Sequence, residues 1–402
     1  MAFLLSMAGM ARLAASITRT EGMDRRDHFA GLNVAIVHYW LVGMRGGEKV
    51  VEELCNMFPQ ADIFTHVARP ERLSARIREH RIVESFIGRL PGAKSHYQSY
   101  LPFMPRALEG FDLTGYDLVI SSEAGPAKGV ICDPDATHVC YCHSPMRYIW
   151  DQYHVYRAGA GTLARLAMPW MAHGLRVWDQ TSAARDDHIV SNSSFIQRRV
   201  AKSWGRESEV IHPPVDLEAF APATDPAAIS NRYLYVGELI GYKRPDLVVD
   251  AFNASGRALT IIGDGAERRR LQQKAGPNIR FLGRAPFEVL KHEYAHCRAL
   301  VFPGVEDFGI VPLESMASGR PVIAFGKGGA LETVLDGVTG SFFYRPTAEA
   351  LNTAIQHFET DLLNDLDHDA MARHVTQFGR NRFRKEMTQS LLAKLAKRAD
   401  RA

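Results

Sequence analysis

A chain of 402 residues, 46% hydrophobic and 23% charged, can bury two cores of ordinary domain size. Its formal net charge of +3 excludes a nucleic-acid footprint spread over the whole protein, so any basic surface is local. Five cysteines, an odd number without the framework of a small disulfide scaffold, indicate free thiols in a reducing compartment.

Residues 1–30 read as an N-terminal tail. Within it, residues 2–17 are apolar but interrupted by Arg12, fall short of the roughly 20 residues a spanning helix needs, and lack the basic start of a secretory signal. Two readings stand: an upstream start with Met23 as an alternative first residue, or a helix lying on a membrane.

A first domain is expected over residues 31–212. It opens with Leu32-Asn33-Val34-Ala35-Ile36-Val37-His38, the continuous apolar run of a parallel strand covered on both faces. Gly46 and Gly47 follow, then a helical pattern through Val50, Val51, Leu54 and Phe58, so the layout is strand, glycine turn, helix. It lacks the G-x-G-x-x-G spacing of a dinucleotide site. Further strands are predicted at 62–64, 117–121, 138–141 and 188–191. Residues 69–106 differ: eight cations, Arg69, Arg72, Arg76, Arg78, Arg81, Arg89, Lys94 and Arg106, stand against Glu71, Glu79 and Glu84, with Tyr97, Tyr100, Leu101, Phe103 and Met104 interleaved. That mixture suits anionic headgroups, although a solvated helical face also carries many charges. Cys140-Tyr141-Cys142-His143 invites a metal reading, but alternation along a strand sends neighbours to opposite faces. His143-Ser144-Pro145 ends that strand abruptly, where a parallel sheet puts its ligands.

Val210-Ile211-His212-Pro213-Pro214-Val215-Asp216 is an extended linker fixed by two prolines. A second series, expected over 213–370, has strands at 232–237, 259–262, 279–282, 300–302 and 322–325, each followed by glycine and a helix. Gly263-Asp264-Gly265 and Gly283-Arg284 are turns at strand ends. Lys243, with Arg244 after it, lies between the first strand and first helix of this series. Residues 301–332 then read as strand, acidic loop with Glu306 and Asp307, and a short helix with Pro312 in first position and Gly319 beyond its end. Unpaired N–H groups around Gly309, Ile310 and Val311 make an anion site, and Gly309 admits close approach. Glu306 and Glu314 suit sugar or ribose hydroxyls rather than phosphate. Residues 371–402 are a charged, amphipathic helical stretch.

Residues 301–332 resemble the C-terminal signature of the retaining GT-B glycosyltransferases of family 4. From HYWLVGMRGGEKV through YCHSPMRYIWDQY to that signature, the chain resembles most the bacterial mannosyltransferases of O-antigen and exopolysaccharide assembly. The resemblance implies an α/β, GT-B architecture: two doubly wound Rossmann-like domains facing a cleft, the last helix crossing back to the first. It implies Glu306 by the donor sugar, Glu314 on the ribose, His143 facing the sugar, Gly46 and Gly47 in the cleft loop, and Lys243 on the diphosphate. Gly283, Arg284 and Arg244 join the candidate donor-binding set. Glu238 stands where relatives carry an arginine beside that lysine, so that role is not carried over; Arg244 is a candidate substitute. Expected partners are a nucleotide sugar, GDP-mannose by resemblance, and a glycan or polyprenyl-diphosphate-linked acceptor. A peripheral membrane contact through 69–106 at the inner face of the cytoplasmic membrane is expected. No cofactor and no divalent metal are expected; Asp133-Pro134-Asp135 is a weak match to an acidic metal pair. A sugar-nucleotide epimerase and a non-catalytic partner subunit are the alternatives.

Overall fold

A computed structural model describes residues 29–363 and 365–399; the stretch 2–17 and Met23 lie outside the described residues. The chain divides into two compact units, one ending at Pro214 and taking in the chain again from Phe383, the other Val215–Arg382.

In the first unit the described strands are β1 (Val34–His38), β2 (Asp62–Thr65), β3 (Ile82–Glu84), β4 (Leu118–Glu123), β5 (Thr137–Cys142), β6 (His188–Ser191) and β7 (Glu209–Val210). All pair parallel in the order β3-β2-β1-β4-β5-β6-β7. Every residue of β1, β4 and β5 is buried, so these parallel strands are covered on both faces rather than alternating between core and solvent. β1 leads to β2 on one side and neighbours β4 on the other, so the sheet reverses direction between β1 and β4, where an open α/β sheet leaves a crevice. The ladder sets His38 beside Ser122 at that edge, and Glu123 beside Cys142 on β5.

The second unit repeats the plan with β8 (Tyr233–Val236), β9 (Leu259–Ile262), β10 (Ile279–Gly283), β11 (Leu300–Phe302), β12 (Val322–Phe325) and β13 (Gly340–Phe343). Its order is β10-β9-β8-β11-β12-β13, with the reversal between β8 and β11. β3, β7 and β13, which the sequence did not reveal, occupy sheet edges.

The last helix begins at Arg380, later than residue 371, because the helix His368–Thr376 belongs to the second unit, where Met371 and Val375 are buried. Phe383, Met387, Leu391 and Leu395, four residues apart, put one stripe into the first unit's core with Val34, Ile36 and Val51. Arg384 pairs with buried Glu53, and Lys394 and Ser390 both hold Glu209 Oε2 at 2.6 Å.

Residues 69–106 fold as short helical turns whose apolar side chains mostly turn inward. Met104 is buried with Val67, Ile87 and Ala93, and Tyr97, Tyr100 and Leu101 pack on that cluster, which leaves Phe86 and Phe103 as the exposed large apolar residues of the segment. Arg76 pairs with Glu79 at 2.8 Å and Arg81 with Asp62 at 3.0 Å, so the basic surface is less apolar and less cationic than its sequence implies.

Candidate functional site

At the carboxyl ends of β1, β4 and β5, the first unit gathers His38, Ser122 and His143. Ser122 Oγ lies 3.0 Å from His38 Nδ1 and 2.8 Å from His143 Nε2. Burial lowers the His143 pKa to about 4; burial, then the neighbouring His143, lowers that of His38 to about 3. With both rings neutral, Ser122 Oγ bridges the two imidazoles and holds the ring of His143. Its backbone is fixed as well: the N–H donates to Glu123 O at 2.8 Å, and Asn192 Nδ2 donates to its carbonyl at 3.0 Å. His143 should stay neutral from pH 8 to well below its ordinary 6.5, taking a proton only as the pH falls through about 4. Ring-nitrogen shifts followed by NMR check this, and a titration centred near 6.5 would overturn it.

Gly46 and Gly47 are the first two residues of the helix Gly46–Met57 rather than a turn before it, and Glu48 reaches back to accept from the Arg45 N–H at 3.1 Å. A Cβ on Gly47 would meet Tyr39 Oη at 3.0 Å, His38 Cε1 at 3.3 Å and His143 Nε2 at 3.8 Å. The glycine thus lets the helix start against the histidine pair. Cys140 and Cys142 pack together on the opposite face of β5 from Tyr141 and His143, which removes the metal reading of that run. All five cysteines are free thiols, and burial raises those of Cys140 and Cys142 well above the usual range.

In the second unit Lys243 follows β8 and Glu306 follows β11, so the two strands flanking the reversal each deliver one charge. Lys243 Nζ and Glu306 Oε1 are 3.0 Å apart, their side chains 22% and 19% exposed. A glycine makes the approach possible: a Cβ on Gly304 would lie 3.0 Å from Lys243 Cα. The loop of Glu306 rests on Gly328 and Gly329 after β12. Gly329 N–H donates to Glu306 O at 2.9 Å, a Cβ on Gly328 would stand 2.6 Å from that same oxygen, and one on Gly329 2.3 Å from Phe308 Cα. The sequence reading missed these two glycines, although a double glycine in the turn after a buried strand is a visible signal.

The following helix runs Ile310–Ala317, two residues earlier than expected, and puts Pro312 at its third position. Proline is accommodated there because the first four N–H groups of a helix have no partner within it. Gly309 precedes the helix at φ 99°, a left-handed value that favours glycine, and a Cβ there would meet Thr333 Oγ1 at 3.3 Å. Glu314 is 8% exposed and accepts from Tyr294 Oη at 3.0 Å, which orients its carboxylate. Burial, then Glu314, pushes the Tyr294 hydroxyl's pKa up, so it stays a donor. Tyr294 is another residue that sequence reasoning passed over.

Other candidates lie elsewhere. Arg244 sits at φ 53° and turns its guanidinium onto Asp246 at 3.0–3.3 Å, so it is not brought to Lys243 and Glu306. Its own helix offers a carboxylate two residues on, and that local pairing wins. Arg284 is exposed, 3.8 Å from Asp264 Oδ2; Gly283, at φ 66°, lies under the Arg268 guanidinium, which is also 3.6 Å from Asp264. Glu238 is exposed. Gly263 fits against Gly237, where a Cβ would come within 1.8 Å of the carbonyl oxygen, and this laces the turns after β8, β9 and β10 together. Asp133 caps its own turn, accepting from Asp135 N–H at 3.0 Å. A cation, unpaired helix N–H groups, hydroxyl acceptors and glycines that admit a ligand to the backbone suit a molecule carrying both phosphate and sugar.

The family description "Glycosyltransferase Family 4" matches residues 44–219 and "Glycosyl transferases group 1" matches 222–381. The chain is 31% identical over 208 residues to a GDP-mannose-dependent alpha-(1-6)-phosphatidylinositol monomannoside mannosyltransferase of Mycolicibacterium smegmatis, covering 44% of this chain and 53%, about half, of that protein. It is 26% identical over 336 residues to a GDP-mannose-dependent alpha-mannosyltransferase of Mycobacterium tuberculosis, covering 78% and 80%. Among solved structures, sucrose-phosphate synthase from Thermosynechococcus elongatus aligns with TM-score 0.67 at 20% identity, over 91% of this chain and 99% of that one. Anabaena HepE in complex with UDP-glucose aligns at 0.65 and 16% identity, over 90% and 100%. At these identities the structural likeness is one of fold.

Proposed function

Because this chain belongs to the family 4 glycosyltransferases and has their GT-B fold of two parallel-sheet units, we propose that it transfers a sugar from a nucleotide diphosphate donor to a glycan acceptor with retention of anomeric configuration. The observation that carries the reading is the Lys243–Glu306 pair, 3.0 Å apart at the sheet reversal and beside the start of the helix Ile310–Ala317. As the diphosphate departs, negative charge grows on its oxygens, and Lys243 with the helix N–H groups stabilises it. Glu306 serves the sugar hydroxyls and Glu314, oriented by Tyr294, the ribose. His143, kept neutral by burial and held by Ser122, takes the sugar-facing role the family gives this position. The proposed donor is GDP-mannose, supported by the mannosyltransferases among the relatives. The proposed acceptor is a lipid-linked oligosaccharide of surface polysaccharide assembly, met at the inner face of the cytoplasmic membrane. Among the described residues no helix is long and apolar enough to cross a membrane.

The test is transfer of labelled mannose from GDP-mannose to membrane extract, beside thermal shifts with GDP- and UDP-sugars. GDP-mannose should give the larger shift and higher kcat/KM, and activity should persist in EDTA, since the charge stabilisation proposed uses a lysine and backbone dipoles. A higher kcat/KM with UDP-glucose or UDP-galactose would replace the donor; loss in EDTA with rescue by a metal would replace the mechanism. Glu314→Ala should raise KM for the donor more than it lowers kcat, because its hydroxyl contact is made in ground and transition states alike. An unchanged KM would sink the ribose role. One observation favours a second reading, a subunit with a decayed site: of the two cations in residues 237–245, Lys243 alone turns to Glu306, with Glu238 exposed and Arg244 held by Asp246. Absence of any thermal shift with GDP- or UDP-sugars would favour it. A sugar-nucleotide epimerase would convert the donor without acceptor, which product analysis detects.

A further inference from the structure

The helices Tyr153–Gly159 and Thr162–Ala183 form a hairpin on the first unit. The inner face of the longer helix is ordinary core: Met168, Ala172 and Leu175 are buried, the last two against Met146 and Ile149. Its outer face is not an ordinary surface. Leu163, Leu166 and Trp170, at helical spacing, are 85%, 69% and 84% exposed, the three most exposed large apolar side chains among the described residues. Val177 continues the stripe, and Val155 and Tyr156 add to it from the shorter helix. Every residue from Gly161 to Ala167 is exposed, so the tip stands clear of the unit. Burying an apolar side chain of this size is worth about 1.5–3 kcal/mol, so a stripe left in water marks a surface that meets something.

The charges identify what it meets. From Gln152 to Trp178 there is no acidic residue, while Arg157, Arg165 and Arg176 are present. Arg165 donates to the carbonyls of Ala158 and Ala160, at 3.0 and 3.4 Å, and Arg157 to that of Arg165 at 3.3 Å; among the described residues neither meets a carboxylate, so both keep their positive charge at the hairpin tip. Leucines, an exposed tryptophan and unneutralised arginines on one projecting hairpin suit the boundary between acyl chains and anionic headgroups. A protein partner or a second copy would meet a broad face rather than a protruding tip.

We propose that this hairpin tip, with Leu163, Leu166 and Trp170 inserted and Arg157 and Arg165 on the headgroups, is the surface by which the protein binds an anionic lipid membrane. It replaces residues 69–106 as the apolar part of that contact. Leu101 packs on the hairpin's inner cluster as well as on that of 69–106, so the two segments are neighbours and the basic turns can contribute charge beside the tip. The proposal deepens the reading of a lipid-linked acceptor, but its binding step does not depend on catalysis.

The test is co-sedimentation of the full chain with phosphatidylcholine vesicles, with and without phosphatidylglycerol, together with tryptophan emission. The protein should bind the anionic vesicles, less so in high salt, with a blue shift that vanishes in Trp170→Phe. Leu166→Ser combined with Trp170→Ser should weaken binding by roughly tenfold or more, and Arg157→Gln or Arg165→Gln by about fivefold each. Equal binding to neutral vesicles, no binding, or a blue shift that survives Trp170→Phe would overturn the proposal. So would binding that the hairpin variants leave intact and neutralisation of Arg72, Arg76, Arg78 and Arg89 abolishes. A lipid-free dimer in light scattering that Leu166→Ser with Trp170→Ser dissolves would show instead that the stripe joins two copies. Thermal shifts with GDP- and UDP-sugars on the same variants keep the two readings apart. A retained donor response with lost vesicle binding supports both, a retained response with unchanged binding rejects the surface alone, and wild type without any donor response removes the transferase reading while vesicle binding is still scored.

Discussion

Lys243→Ala should lower turnover by about 10²–10³-fold, the usual cost of losing a preorganised stabiliser of developing charge, while the melting temperature stays nearly unchanged. The two magnitudes decide between readings of the Lys243–Glu306 pair. As a structural ion pair between partly exposed side chains, it contributes about 0–1 kcal/mol to folding. As the group facing a departing diphosphate, Lys243 stabilises the transition state by about 2.7–4 kcal/mol. A large kinetic loss with a small change in stability is the signature of the second, and Glu306→Ala should show the same split. Near-normal turnover in either variant would remove the pair from the reaction. A large fall in melting temperature would mean that the pair braces the loop instead.

Gly329→Ala should be nearly as damaging, although the residue need touch no substrate. The new methyl would sit 2.3 Å from Phe308 Cα, closer than any carbon pair can stand, and neither side is a flexible side-chain end. One of the two loops must therefore shift by about an ångström, a displacement that costs on the order of 10² in rate when it moves a reacting group. The loop that moves carries Glu306, whose carbonyl oxygen accepts from the Gly329 N–H at 2.9 Å. Circular dichroism and donor thermal shifts should show a folded protein with impaired transfer; wild-type turnover would show that the loop after β12 does not set the position of Glu306.

How much of this was legible in the sequence depended on how local the cause was. β6, β9 and β12 are read correctly to the residue because apolar runs covered on both faces leave no other placement. β3 and β7 were invisible because Ile82-Val83-Glu84 and Glu209-Val210 are too short and too polar to announce themselves; they are strands because the sheet edge offers them partners. Lys243, Glu306, Glu314 and His143 are candidates by motif position, whereas Tyr294, Ser122 and Gly329, which bond to the last three, lie 20 or more residues away in sequence and outside those motifs. Arg244 misled because its sequence neighbourhood gives no sign of whether a guanidinium follows the loop or turns onto Asp246. The surface at 69–106 misled for a related reason: interleaved aromatics look amphiphilic in one dimension, and only the cluster around Met104 shows them facing inward. The exposed stripe on the helix Thr162–Ala183 went unread, because helical spacing alone does not tell an exposed apolar face from a buried one.

The last helix also dictates an order of assembly during synthesis. Strands β1 to β7 leave the ribosome before any of the second unit, but Phe383, Met387, Leu391 and Leu395, which finish the same core, are made more than 160 residues after β7. Until then the nascent first sheet carries an open apolar trough next to Val34, Ile36 and Val51. The intervening unit, Val215–Arg382, contains its own core and can close while the trough waits. A ribosome stalled within the second unit would therefore hold a chain that is a natural client for a chaperone binding exposed hydrophobic surface, and the trough would be sealed only by the helix Arg380–Ala399.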